Sequence, residues 1–336
     1  MGDGTGIEWT DATWNPIRAM NKETGGVGHY CVKVSEGCRH CYAERIQKRL
    51  FRNPIRFAAQ DRDQVELYLD EEMLLQPLRW KRPRLIFVCS VTDLFLEHHA
   101  DWWIDRMFGV MAMAPQHTFQ VLTKRPERAL TYLRQGRKEL TTRWGFQGAQ
   151  ALHQLHGGSA DRAARLAEAS NPGTWPLPNV ILGTSAENQY WADRRVPQLL
   201  STPAAARFVS WEPALGMVDF SHLRPPGDGL VYDALGGLAV PVKPEPGAKG
   251  ETTPRLDWVV AGGESDDGGD ARPSDLAWYR AVRDQCLAAG VPFFMKQLSQ
   301  ADSRGFKKYE TFPPDLQVRQ WPTVGGVERK GRISHA

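Results

Sequence analysis

Residues 84–93 read RLIFVCSVTD and hold the clearest strand signal in the chain. The run up to Ser90 is apolar without alternation, which is typical of a strand that is buried on both faces of a parallel sheet. It ends in polar side chains at Thr92 and Asp93, and the amphipathic pattern of residues 99–113 predicts a helix directly afterwards. A buried strand, a polar end and a helix make up the βα unit of parallel sheets and barrels.

The same unit recurs along the chain. Further strands are predicted over residues 118–123, 179–184, 207–211, 257–261 and 292–295, and helices over about 127–133 and 274–289. Polar residues follow nearly every run, and functional residues of α/β barrels gather at the carboxyl ends of strands. We therefore expect an α/β fold, a partial (β/α) barrel with helical and loop insertions, whose strand ends line one cleft.

Two stretches interrupt this rhythm, and two further segments lie outside it. Residues 134–178 are polar and rich in Ala and Gly, with helices predicted over 147–155 and 160–169, and residues 216–255 are rich in Pro and Gly. We interpret both as insertions into a single domain over residues 1–300, because long unstructured loops are uncommon inside a compact barrel. Residues 20–30 are predicted to be a lid or a partner-binding loop. Residues 301–336 are expected to be a strap or tail.

Three cysteines lie in one short segment with the spacing C-x6-C-x2-C, at Cys31, Cys38 and Cys41. One interpretation is structural zinc, which normally has four protein ligands and would need His29 or His40 as the fourth. A second is a set of ordinary buried or surface thiols. A third is a four-iron cluster, since thiolates bind iron–sulfur clusters and three of them leave one iron open to a small molecule.

Composition excludes several classes of protein. The chain has 336 residues, with 42 Lys+Arg against 39 Asp+Glu and a formal net charge of +3, too close to balance for a bulk polyelectrolyte binder. No apolar run reaches the roughly 20 residues that span a bilayer, and the N-terminus lacks the pattern of a signal peptide. We therefore expect a cytoplasmic protein that does not associate with a membrane. The other two cysteines, Cys89 and Cys286, lie in apolar patterns and are predicted to pack in the core.

Six sequence blocks together resemble a known family. They are the stretch from Thr13-Trp14-Asn15-Pro16 to Cys38-Arg39-His40-Cys41-Tyr42-Ala43-Glu44, FVCSVTDLF at 87–95, LTKRP at 122–126, SWEP at 210–213, VAGGES at 260–265 with ARP at 271–273, and VPFFMKQ at 291–297. The combination resembles a phage and bacterial family of three-cysteine proteins of unknown function. That family is itself similar to radical S-adenosylmethionine (SAM) enzymes.

This resemblance implies a barrel of radical SAM type with a 4Fe–4S cluster on its three cysteines and SAM bound at the open iron. Reductive cleavage of SAM would give a 5′-deoxyadenosyl radical, acting on a nucleic-acid base in modification or repair. DNA or RNA and an electron donor such as flavodoxin or ferredoxin are the implied partners, in a bacterium or phage-infected host. The competing hypothesis is a non-enzymatic, metal-stabilised module that binds nucleic acid or protein through a zinc or structural cluster site.

The site residues follow from the strand ends and from the matching blocks, and no catalytic residue is assigned. The cofactor contacts are predicted to be Tyr42, Ser90, Thr92, Asp93, Ser185, Glu187, Glu212, Gly262, Gly263 and Glu264. The substrate contacts are predicted to be Trp14, Asn15, Lys124, Arg125, Trp211 and Lys296. The chain departs from radical SAM enzymes in the longer first cysteine gap and in the late position of its Gly-Gly-Glu motif.

Overall fold

The computed structural model describes residues 5–50, 56–157, 175–243, 249–265, 270–299 and 309–323. The strands are β1 (Ala12–Trp14), β2 (Ile17–Asn21), β3 (Val27–Gly28), β4 (Val65–Leu69), β5 (Leu85–Val88), β6 (Thr118–Thr123), β7 (Val180–Ser185), β8 (Ala206–Trp211), β9 (Leu230–Asp233), β10 (Leu238–Pro241), β11 (Glu251–Thr252), β12 (Trp258–Gly262) and β13 (Phe293–Gln297). The helices are α1 (Tyr42–Leu50), α2 (Glu71–Leu74), α3 (Gln76–Arg79), α4 (Asp101–Ala112), α5 (Pro126–Leu133), α6 (Arg137–His156), α7 (Gln189–Leu200) and α8 (Leu276–Ala289).

A seven-stranded sheet has the order β1-β5-β6-β7-β8-β12-β13. The strands pair in parallel, as in the register of Thr13 with Phe87 and of Val260 with Phe294. Every strand predicted from an apolar run is a member of this sheet, and helices lie between most of its consecutive strands. The fold is therefore mixed α/β with a parallel sheet flanked by helices, which is compatible with the predicted partial β/α barrel.

The described residues fall into two compact units. One lies within Met1–Val34, Cys41–Ile181 and Pro203–Ala205, and the other within Ser35–His40, Leu182–Thr202 and Ala206–Ala336. The single domain over residues 1–300 stays a prediction.

The first unit owes much of its core to the packing of α4 and α6. Most of α4 is buried, and a Cβ added to Gly109 would lie 2.7 Å from the backbone nitrogen of Gly148. Both helices therefore need a residue without a side chain where their backbones meet. The buried stripe Leu140, Trp144, Gly148 and Ala151 recurs every three or four residues along α6, as a helix against a core requires.

The second unit is built on β8, β12 and β13. Phe208 and Trp258 are fully buried with ring centroids 5.7 Å apart. Residues 309–323 lie along β13, where the backbone N–H of Met295 donates to the carbonyl of Val318 at 2.8 Å. This segment covers the edge of a strand that would otherwise present unpaired backbone groups to a second chain.

The predicted insertions contain more regular structure than expected. Residues 134–178 include the whole of α6, of which the predicted 147–155 is the last part, and the predicted helix 160–169 lies outside the described residues. Residues 216–255 contain the antiparallel sheet β11-β10-β9. Most of residues 20–30 belongs to the β2–β3 hairpin, which pairs with β4 and so is not an open loop. No helix in the described ranges is long and apolar enough to cross a membrane.

Candidate functional site

The cysteine segment, residues 31–41, has little regular structure. A short 3₁₀ helix spans Glu36–Cys38, and the backbone N–H of Cys38 donates to the carbonyl of Ser35 at 3.0 Å. Cys31, Cys38 and Cys41 are half-buried, and none of them is in a disulfide. Three thiols thus remain accessible in one segment of the chain.

The other two cysteines confirm the core prediction. Cys89 and Cys286 are 2% and 0% exposed. Burial raises the pKa of the Cys286 thiol to about 12, and burial also raises the pKa of Cys89. Thiols of this kind are inert packing groups.

In the first unit, Asp93 follows β5 and is buried. Its carboxylate accepts hydrogen bonds from the Thr123 hydroxyl at 2.7 Å, the Lys124 backbone N–H at 2.9 Å and the Arg125 guanidinium at 3.2 Å. The backbone N–H of Phe95 donates to it as well, at 3.0 Å. A cofactor that binds Asp93, as predicted, would have to compete with four internal donors.

Arg125 connects this cluster to the start of the cysteine segment. It donates to both Glu97 oxygens, at 2.8 and 2.9 Å, and to the carbonyl of Val32 at 2.9 Å. Burial alone would lower the pKa of Arg125, but Asp93, Cys31 and Glu97 outweigh it and raise the pKa. A permanent cation therefore lies within electrostatic reach of the first thiol.

Four further predicted residues also meet around the end of β5. The Thr92 hydroxyl donates to the carbonyl of Tyr30 at 2.6 Å, and the Tyr42 hydroxyl donates to the carbonyl of Ser90. The Asn15 amide donates to the Ser90 hydroxyl at 3.1 Å. These bonds fix the residues that flank Cys31 and Cys41 in the chain.

In the second unit, Glu187 follows β7 and is fully buried. One oxygen accepts from the Ser35 hydroxyl at 2.6 Å, and the other pairs with Arg195 at 2.9 Å. A Cβ added to Gly37 would lie 2.4 Å from the first of these oxygens. Arg195 also donates to the carbonyl of Ser185 at 3.0 Å, so both predicted residues at the end of β7 are part of one buried network.

Glu36, beside them, is bound through both its side chain and its backbone. Its carboxylate accepts from the Asn188 amide at 2.6 Å and from the Trp191 indole at 2.7 Å. Burial would raise the pKa of Glu36, but these hydrogen bonds outweigh it and lower the pKa. The carbonyl of Glu36 accepts from Arg272 at 2.9 Å, and Arg272 is itself paired with the buried Glu264.

The remaining predicted residues of the second unit form a separate cluster. Lys296 pairs with Glu212 at 2.8 Å, and the Ser210 hydroxyl donates to the other Glu212 oxygen at 2.9 Å. A Cβ added to Gly262 would lie 2.4 Å from Glu212, so this position needs glycine for close contact. The carbonyl of Gly263 accepts from Gln297 at 2.7 Å.

The two tryptophans predicted to contact the substrate are core residues. Trp14 and Trp211 are both 0% exposed. Their indole N–H groups donate to the carbonyls of Met73 at 2.9 Å and Gly216 at 3.2 Å. Because neither ring has an exposed face, we leave both out of the site.

Sequence reasoning missed the residues that hold the cysteine turn, namely Ser35, Glu36, Arg195 and Arg272. Only Arg272 had a signal, since it lies in the ARP block that follows the Gly-Gly-Glu motif. Partners so far apart in the chain cannot be inferred from one sequence.

The fold is α/β, and in each unit polar groups at strand ends bind the part of the cysteine segment that belongs to that unit. Residues 4–330 match the family described as protein of unknown function (DUF5131), and the chain belongs to that family. The match confirms the resemblance to a family of unknown function, while radical SAM character stays a prediction. Comparisons with curated proteins and with solved structures gave no match.

Proposed function

We propose that this chain is a radical SAM-like iron–sulfur enzyme that holds a 4Fe–4S cluster on Cys31, Cys38 and Cys41 and reductively cleaves SAM. One observation carries the proposal. The segment with the three thiols is bound by the buried Arg125 and Glu187 and by the half-buried Arg272, although the cysteines themselves are only half-buried. A set of ordinary surface thiols does not need such support.

The donor chemistry fits an iron–sulfur cluster, because thiolates are its usual protein ligands. The described residues contain no group of three His, Cys, Asp or Glu side chains already arranged to hold a metal ion. Cluster binding therefore has to draw the three thiols together. For the zinc alternative, the fourth ligand would be His29, which is buried, or His40, which is half-buried.

The chain's own groups contribute in three ways. Arg125 donates to the carbonyl of Val32 at 2.9 Å and so fixes the backbone next to Cys31. Ser35 and Glu36 fix the turn that carries Cys38. Three protein ligands would leave one cluster iron for SAM, and a cluster reduced by an external electron donor would supply the electron for cleavage of the sulfonium.

A nucleic-acid base is the substrate class that the family resemblance implies. The structure adds no support for it, because Arg125 and Lys296 are each paired with a carboxylate. We therefore include DNA and RNA as arms of the assay. The same assay addresses the alternative of a non-enzymatic module, which predicts neither SAM binding nor SAM cleavage.

The test is 5′-deoxyadenosine formation after anaerobic reconstitution with iron and sulfide, with SAM and a chemical reductant. We expect product from the wild type and from Cys286→Ala, and none from Cys38→Ala. Faster formation with DNA or RNA would support a nucleic-acid substrate. Absence of product from a wild type that does carry the cluster would overturn the SAM cleavage step.

A further inference from the structure

We infer that Arg272 is a positioning residue for Cys38, and that Glu264 holds Arg272 in place rather than binding a ligand itself. The hydrogen bond from Arg272 to the carbonyl of Glu36 is present in the chain without any bound group. Its consequence for a cluster rests on the proposed function. The carrying observation is that one guanidinium binds both the buried Glu264 carboxylate and the backbone carbonyl of Glu36.

Arg272 and Glu264 are joined by several hydrogen bonds. Arg272 donates to one Glu264 oxygen through its backbone N–H and its Nε atom, both at 2.9 Å, and Nη2 donates to the other oxygen. The hydroxyl of Ser299 donates to the carbonyl of Arg272 at 2.6 Å. Burial would raise the pKa of Glu264, but its bonds to Arg272 outweigh it and lower the pKa. A carboxylate with these donors is already satisfied.

The acceptor on the cysteine segment lies two residues before Cys38. The carbonyl of Glu36 also accepts from the backbone N–H of Arg39 at 3.1 Å, which closes the turn around Cys38. Arg272 therefore binds the carbonyl that defines this turn. The hydrogen bond from Ser35 to Glu187 holds the residue before it.

The planar fork of arginine is needed for this double contact. A guanidinium can satisfy a carboxylate with two N–H groups and still direct a further N–H elsewhere, whereas a lysine ammonium is a single point of charge. We therefore expect Arg272→Lys to keep an ion pair with Glu264 but to lose the bond to Glu36. Arg272→Gln loses both.

The test is backbone hydrogen–deuterium exchange of the metal-free protein, read by mass spectrometry in peptides that cover residues 35–40. We expect exchange at Cys38 and Arg39 to rise roughly tenfold or more in Arg272→Gln, because a charge-assisted hydrogen bond that holds the turn is lost. Arg272→Lys should lie between this variant and the wild type. Arg280→Gln, which removes an exposed arginine paired with Asp315, is the matched control.

Unchanged exchange in the turn of a folded Arg272→Gln protein would overturn the inference. If exchange in Arg272→Gln also rises throughout α8, this variant has lost its fold, and the comparison is then made with Arg272→Lys. An unchanged turn in Arg272→Lys then counts against the inference.

The iron-loaded protein gives a second readout. Arg272→Gln should shift the electron paramagnetic resonance signal of the reduced cluster, and Arg280→Gln should not. An unshifted signal in the loaded Arg272→Gln protein would contradict a positioning role. If the wild type binds no iron but exchange in the turn rises in Arg272→Gln, the proposed function is refuted and the role of Arg272 stands. If the wild type binds iron but exchange in the turn is unchanged in Arg272→Gln, the role of Arg272 is refuted and the proposed function stands.

Discussion

Gly37→Ala tests the contact between the cysteine turn and the buried Glu187. The new Cβ would lie 2.4 Å from the Oε1 atom of Glu187 and 2.5 Å from its Cγ atom. Real Cβ atoms do not approach other atoms so closely, so either the turn or the carboxylate has to move. Glu187 cannot move freely, because it is fully buried and bound to Ser35 and Arg195.

The loss of unfolding free energy in Gly37→Ala depends on which bonds of Glu187 the new methyl group breaks. A hydrogen bond to a charged group contributes about 1.5–3 kcal/mol. Breaking a buried ion pair by loss of one partner costs about 3–5 kcal/mol. If only the bond from Ser35 is lost and the pair with Arg195 survives, Gly37→Ala lowers the free energy of unfolding by about 2 kcal/mol.

The assay is denaturant unfolding of the metal-free protein, with Gly216→Ala as the matched control. A Cβ added to Gly216 meets its nearest atom at 3.2 Å, so this variant should cost much less. The double variant Ser35→Ala/Gly37→Ala should cost less than the sum of the single variants, because both remove the same hydrogen bond. Equal costs for Gly37→Ala and Gly216→Ala, or full additivity with Ser35→Ala, would refute the reasoning.

Three further predictions concern stability. Asp93→Asn should lower the free energy of unfolding by about 3 kcal/mol, because it removes the buried one of the two carboxylates that Arg125 binds and leaves only the exposed Glu97; a loss below about 0.5 kcal/mol in denaturant unfolding would contradict this. Asp315→Asn should cost under about 1 kcal/mol in the same assay, because its ion pairs are exposed, and a loss as large as that of Asp93→Asn would be contrary to expectation. Burial lowers the pKa of His99 from 6.5 to about 4. The unfolded chain therefore binds an extra proton between these values, and stability should fall by up to about 3 kcal/mol as the pH drops through this window. The midpoint temperature of thermal unfolding should depend less on pH in His99→Gln than in the wild type, and identical pH profiles would exclude the effect.

The sheet could be predicted because its strands are buried on both faces. Runs such as RLIFVCS at 84–90 and NVILGT at 179–184 are continuous and apolar, and both contain strands of the sheet. The short edge strand β1 has too few residues for such a signal. Most of α6 escaped prediction because only a narrow stripe of its residues is buried, and that stripe includes Gly148.

The site was only half predictable. Residue type and strand position selected Asp93, Glu187 and Glu264 as cofactor contacts, which stays a prediction; the structure shows that all three are buried, and their partners were not predicted. Each carboxylate forms an ion pair with an arginine. Arg125, Glu187 and Arg272 in turn form hydrogen bonds with residues 32, 35 and 36 of the cysteine segment. A sequence pattern cannot tell a carboxylate that awaits a ligand from one that is already satisfied.

The most direct measurement is the metal and sulfide content of protein purified and reconstituted without air. A 4Fe–4S cluster predicts about four iron and four sulfide per chain in the wild type and in Cys286→Ala. Cys31→Ala, Cys38→Ala and Cys41→Ala should each lose most of it. Stoichiometric zinc, or iron that survives in all three variants, would contradict a cluster held by these cysteines.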